Sequence, residues 1–246
     1  MEDARRKYGK IEFILTEPLG VHENIAKVVL ERAQKDIKGV KILKPCEIEN
    51  KSFAIITEEM GKVNFKKAEL PIVKRVIHAT GDFDFARIMR FHPDAVKAGV
   101  KAIKNGKDIL VDVRMAEAGI NKKALERWGG KVICNIKKSG VRGQESGERT
   151  RAEMGIEKAL KENKNIGIVA IGNAPTALYR VMKLLNSSKS QILVIGVPVG
   201  FVKAQESKEV LLHMEYPFIT SLGRKGGSPA AAAIVNALLK IAEETL

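Results

Sequence analysis

The sequence is poor in cysteine, in aromatic side chains and in acid. Its 246 residues include 2 Cys, 8 Phe, 3 Tyr and 1 Trp. Two distant thiols, Cys46 and Cys134, make neither a disulfide framework nor a zinc ribbon; each reads as a small buried or half-buried side chain. With so few aromatics, base-stacking platforms are scarce, and no RNP1, KH or zinc-finger pattern is present, so nucleic acid is a poor partner. No run of roughly 18 apolar residues could span a bilayer. The opening residues, MEDARRKYGK, hold no apolar core of a secretory signal. A cytoplasmic protein with no membrane partner is expected. No two of His22, His78, His92 and His213 have HxxxH or HxH spacing, and no cysteine lies close, so no metal site is expected. Neither GxxxxGK[ST] nor GxGxxG occurs, which leaves out a P-loop and a dinucleotide fingerprint.

The shortage of acid is a statement about partners. Lys and Arg number 43 against 29 Asp and Glu, a net charge of +14. Such a surface attracts anions. Nucleic acid, an anionic membrane, a nucleotide or a polycarboxylate all fit the charge alone. The length suits one large domain or two small ones, at roughly 100–200 residues each. A chain of this size buries about 70–75% of its unfolded surface and folds without a metal or a disulfide.

What is present is an alternation. Short Val/Ile-rich runs occur at Ile109–Val113, Lys131–Ile136, Ile166–Ile171, Gln191–Val197 and Pro217–Thr220. They scarcely alternate, as strands covered on both faces do not. Helical patterns fall between several of them, at Glu148–Lys161, Thr176–Leu185, Lys203–His213 and Ser228–Glu244. Strand–helix alternation predicts a three-layer αβα fold on a mainly parallel sheet. Residues 41–108 read mostly helical, with breaks at Gly61, Pro71, Gly81 and Pro93. Residues 1–40 are charged, with an amphipathic pattern across Asn24–Lys35. Ligands of such folds lie outside the carboxyl ends of the strands. The polar segments follow those ends: Asp112 and Arg114, Gly172–Thr176, Pro198–Gly200 and Gly223–Ser228.

Several segments could carry chemistry. His78 falls in Arg75-Val76-Ile77-His78-Ala79-Thr80-Gly81. Pro71 fits the start and Gly81 the end of a helix, which puts His78 in its last turn on the face of Arg75. An imidazole suits proton transfer near neutral pH. The acidic Asp82-Phe83-Asp84 follows directly. Gly172-Asn173-Ala174-Pro175-Thr176 is a strand-to-helix turn, either an ordinary helix start or an amide seat for an anion. Gly223–Ser228 resembles an anion nest charged by Arg224 and Lys225, or else a capping turn with Ser228 as N-cap. Lys203–Glu209 reads as a solvated helix face. Lys137–Arg151 is a polar loop, either plainly solvated or closing over a ligand. These turns leave open an α/β enzyme acting on a phosphorylated small molecule.

Together the segments resemble the precorrin-8X methylmutase family of corrin-ring biosynthesis, including its cobalt-dependent branch. The residues that carry the resemblance are Glu49–Ile56, Arg75–Gly81, Ile109–Asp112, Ala170–Leu178, Pro198–Lys208 and Gly223–Ser228, in that order. It covers residues 42–246, leaving 1–41 as an added N-terminal segment. The resemblance implies an isomerase that moves a methyl group from C-11 to C-12 of (cobalt-)precorrin-8, giving hydrogenobyrinate or cobyrinate for vitamin B12. It implies no cofactor. The family's proton-transferring histidine falls on His78, and its substrate contacts on Ser52, Arg75 and Arg151, with Asn173 and Thr176 lining the pocket. It implies a homodimer with pockets near the subunit interface. The substrate is a polycarboxylate, which gives arginine forks and the +14 charge a use. The chain departs from the aerobic members at Arg114, where they carry an acid, and across Lys137–Glu148.

Overall fold

The computed structural model describes residues 27–28, 44–136, 149–185 and 191–245. The chain divides into two compact units, Met1–Ile48 and Glu49–Leu246. In the first, Lys27 and Val28 are helical and exposed. The rest of the Asn24–Lys35 pattern, and residues 137–148 of the polar loop, lie outside the described residues.

Six strands form one sheet in the order β1-β6-β5-β4-β2-β3. They are β1 (Met89–Phe91), β2 (Asp108–Val111), β3 (Val132–Cys134), β4 (Ile166–Ile171), β5 (Leu193–Gly196) and β6 (Phe218–Ser221). Every pairing is parallel except β1 with β6, where Met89 faces Ser221 and Phe91 faces Ile219. All five apolar runs of the sequence became strands. The edge strand β1 was not expected; three residues inside a helical stretch carry no periodicity of their own.

Ten helices among the described residues surround the sheet. They are α1 (Pro45–Met60), α2 (Leu70–Thr80), α3 (Phe85–Ile88), α4 (Ala95–Lys104), α5 (Arg114–Gly119), α6 (Lys122–Glu126), α7 (Arg151–Glu162), α8 (Pro175–Leu185), α9 (Ala204–Leu211) and α10 (Ser228–Glu244). Successive residues of a strand face opposite sides, and the two cores show it. Ile109, Val111, Ile168, Ala170 and Ile195 join α2, α4 and α10 on one face. Leu110, Val169, Ile171 and Val194 join α7 and α8 on the other. The result is the three-layer αβα fold.

Local sequence sets several ends. Pro71 lies in the first turn of α2, and Gly81 closes it in the left-handed region (φ 65°), its N–H bonding Ile77 O at 2.7 Å. Thr150 caps α7 by accepting from Glu153 N at 3.2 Å. Glu153 stands three residues on, as in a capping box. The sequence had placed the start of α10 one residue late in its cap: Gly227 is the N-cap, without a side-chain bond, and Ser228 is the first helical residue.

Candidate functional site

The strand carboxyl ends gather four polar segments, as the alternation of strands and helices requires. Beside the last of these segments, whose Lys225 reaches Asp82 and Asp84, the last turn of α2 carries the proton-transfer candidate. His78 is exposed there. Its ring stacks on Phe53 of α1, with centroids 5.2 Å apart and planes 20° apart. One turn back, Arg75 places its guanidinium carbon 4.8 Å from the centroid of the same ring. An Arg75 nitrogen also pairs with Glu49 Oε1 at 2.7 Å. That guanidinium holds the Glu49 carboxyl below its usual range. Glu49, Phe53, Arg75 and His78 therefore form one cluster between α1 and α2. Ser52, next to Phe53, is half-buried.

A second group stands at the ends of β2 and β4. The sequence left Gly172–Thr176 as either a cap or an anion seat. The structure shows a seat already filled. The Asp112 carboxylate accepts from Gly172 N (3.0 Å), Asn173 N (2.8 Å) and Ala174 N (2.8 Å). Asp112 is 1% exposed. Burial pushes its carboxyl up, against the pull of those amides. The switch point between β2 and β4, where such folds bind ligands, is thus bridged from within. A phosphorylated substrate loses the amides it would need. Gly172 is required here by close approach: a Cβ would stand 2.7 Å from Ser228 Cα.

What this rim still offers is side chains. Asn173 is exposed and Thr176 half-buried. The Thr176 hydroxyl lies 2.7 Å from that of Thr150, the residue before Arg151. Arg151, exposed, opens α7. Asn173, Thr176 and Arg151 are brought together here; Arg75 and His78 are brought together at α2. Between the two groups, Lys225 of the loop at 222–227 reaches Asp82 and Asp84 just after α2, and Ser228 at the start of α10 lies close against Gly172.

Two further expectations are corrected. Lys225 does not charge an open nest: its ammonium bonds Asp82 Oδ2 at 2.6 Å and Asp84 Oδ2 at 2.5 Å. The Lys203–Glu209 run is not wholly solvated. Gln205, Glu206 and Glu209 are exposed, but Ser207 and Lys208 are buried. Sequence periodicity carried the signal, since Ala204, Lys208 and Leu211 fall on one helical stripe. Arg114 donates to Ile136 O at 3.4 Å.

His92 sits between β1 and α4 and accepts from Asp94 N at 3.2 Å. Cys134 is a half-buried free thiol, raised by burial; the side chain of Cys46 lies outside the described ones. A cavity of about 500 Å³ opens near the amino end of β2, lined by Asp108, Lys131 and Asn163 among others. Asp108 there already accepts from Asn163 Nδ2 and Lys131 N. Among the described residues no group of three or more His, Cys, Asp or Glu could hold a metal ion. No described helix is long and apolar enough to cross a membrane.

Comparison with known proteins shows the family. The family model described as precorrin-8X methylmutase matches residues 47–241. The chain belongs to the precorrin-8X methylmutase family. A cobalt-precorrin-8 methylmutase of Priestia megaterium is 47% identical over 205 residues, 82% of this chain and 90% of the relative. A precorrin-8X methylmutase of a Sinorhizobium species is 36% identical over 198 residues, covering 78% and 93%. A crystal structure of the precorrin-8x methyl mutase from Thermus thermophilus superposes with a TM-score of 0.72 at 39% identity, covering 80% of this chain and 98% of that one. Methylmutases of this family are isomerases, and the six-stranded sheet described above is their fold.

Proposed function

We propose that this chain moves the methyl group of (cobalt-)precorrin-8 from C-11 to C-12, giving cobyrinate or hydrogenobyrinate. The observation that carries the reading is an exposed imidazole, His78, held against Phe53 beside the cation of Arg75 on a family methylmutase scaffold. A methyl shift round a conjugated macrocycle asks little covalent chemistry of the protein. It asks for a proton placed to polarise the ring, and for one ring geometry held still. His78 gives that proton to the macrocycle and takes it back after migration. No cofactor enters the cycle.

The substrate's rim of carboxylates sets the other roles. Arg75 and Arg151 grip carboxylates through charge-assisted hydrogen bonds. Ser52, Asn173 and Thr176 add neutral ones. The net charge of +14 draws the polyanion in. Glu49 competes with substrate for Arg75, which keeps the fork ordered when the site is empty.

The active form is a homodimer. Phe201 and Val202, 83% and 77% exposed, lie on the turn after β5 at this same rim. Adjacent exposed apolar side chains support an interface there, and the second subunit covers them. The domain is residues 42–246, with 1–41 an added segment; the protein works in the cytoplasm, on neither nucleic acid nor membrane. The test is direct. Purified protein mixed with cobyrinic or hydrogenobyrinic acid is expected to form a tight coloured complex, and to convert the precorrin-8 substrate to it. Failure to do either removes the reading.

A further inference from the structure

Lys208 is the largest fully buried side chain among the described residues, at 0% exposure. A lysine is almost never fully buried unless paired. Desolvation pushes its amine down to about 8. An ammonium kept in such a place needs an occupation, and its hydrogen bonds show one.

The Lys208 ammonium donates to the Lys225 carbonyl at 2.7 Å and to Ser221 Oγ at 3.5 Å. The Ser221 hydroxyl donates to that same carbonyl at 2.8 Å. One backbone oxygen of the rim loop therefore takes two buried donors, one from α9 and one from the end of β6. Backbone bonds from Gly227 N to Val197 O (2.8 Å) and from Gly200 N to Arg224 O (3.2 Å) fix the loop on its other side. The side chain of Lys225 holds Asp82 and Asp84. Asp82 follows Gly81, the cap of the helix that carries Arg75 and His78. The Thr80 hydroxyl ties this turn back to α2, accepting from Asp82 N at 3.3 Å and donating to Val76 O at 2.8 Å.

We propose that Lys208 is a positioning residue for His78: its buried ammonium locks the Lys225 carbonyl, and the Lys225 side chain in turn fixes the end of α2. The proposal rests on His78 being the proton-transfer group. Exposed ion pairs such as those of Lys225 carry little by themselves, because long side chains wander. Anchored at its backbone, Lys225 holds its two carboxylates at one place. Placement matters for proton transfer, since a misplacement of about 1 Å can cost roughly a hundredfold in rate.

Two variants test this, with two readouts. Lys225→Met alters a half-exposed side chain and keeps the carbonyl that Lys208 grips. Lys208→Met keeps the buried volume and removes the donors. For each, kcat and KM for the methyl shift are measured, together with the His78 ring resonances of the substrate-free protein. The expected result is a kcat lowered about tenfold in each single variant, KM changed less than about threefold, and shifted His78 resonances. The double variant is expected to be no slower than the slower single one. If Lys208→Met does not fold, Lys225→Met decides alone. Unchanged kcat and unmoved resonances in Lys225→Met overturn the proposal, as does a double variant whose losses multiply. Turnover surviving in His78→Ala would instead remove the proton-transfer role, while the resonances of the Lys variants still report whether this chain of contacts fixes α2.

Discussion

The His78 imidazole lies nearly parallel to the Phe53 ring, 5.2 Å between centroids, on a helix end otherwise open to solvent. The stack fixes which way the imidazole edge points without burying it. An aromatic pair of this kind contributes about 0.5–1.5 kcal/mol beyond its area. Phe53→Leu is expected to lower kcat about two- to tenfold, at about 1.4 kcal/mol per tenfold, with KM nearly unchanged. Single-turnover conversion at saturating substrate measures it; an unaltered rate would mean that the stack does not orient the proton.

Arg75 separates stability from binding. Its ion pair with Glu49 is partly exposed, with side chains 22% and 41% accessible, and such pairs contribute about 0–1 kcal/mol. A hydrogen bond to a charged group is worth about 1.5–3 kcal/mol. Arg75→Ala is therefore expected to leave Tm nearly unchanged and to weaken cobyrinic acid binding about 10- to 100-fold. Spectral titration checks the affinity. A variant that binds as tightly as the wild type places Arg75 outside the substrate site.

Asp112 is the opposite case, a carboxylate that holds the fold and not the ligand. Removing it strands the N–H groups of Gly172, Asn173 and Ala174. The buried donors among them, Gly172 N and Ala174 N, cost about 1–3 kcal/mol each when left without a partner. Asp112→Ala is expected to lose about 3 kcal/mol or more, or roughly 6–12 °C in Tm at about 2–4 °C per kcal/mol. Calorimetry measures this. A Tm within a degree of wild type would show the amides satisfied some other way.

How much of this was legible beforehand differs by element. Strands β2 to β6 announced themselves because a strand lying inside a three-layer fold is largely apolar, and these runs are too short for a helix. Helix α2 was bracketed by Pro71 and Gly81, residues with one physical use each at those positions. The pairing of Arg75 with His78 followed from helical spacing alone. The occupant of the Gly172–Ala174 amides did not, because it depends on β2 lying beside β4, and strand order is a tertiary fact. Lys208 was hidden by its charge: lysine is read as solvated even where its helical stripe, shared with Ala204 and Leu211, faces the core. Glu49 and Phe53 lie in α1, and only folding brings them to α2.

The buried lysine has a pH signature of its own. Its amine is lowered from 10.5 to about 8 in the folded protein. Below that range both states hold the proton and its burial cost is constant. Between pH 8 and 10.5 the unfolded chain binds the extra proton, so stability rises with pH. The unfolding free energy of wild type minus that of Lys208→Met is therefore expected to climb across this interval, and to be flat below it. Urea unfolding at a series of pH values measures the difference. A flat difference throughout would mean that the Lys208 amine is not desolvated.

The most direct measurement is the conversion of (cobalt-)precorrin-8 by His78→Ala, followed in the visible spectrum beside binding of the coloured product. General acid–base catalysis contributes about 10²–10⁴ in rate. The variant is expected to bind the product and to turn over at about 1% of the wild-type rate or less. Turnover at the wild-type rate, with binding intact, would contradict proton transfer by His78.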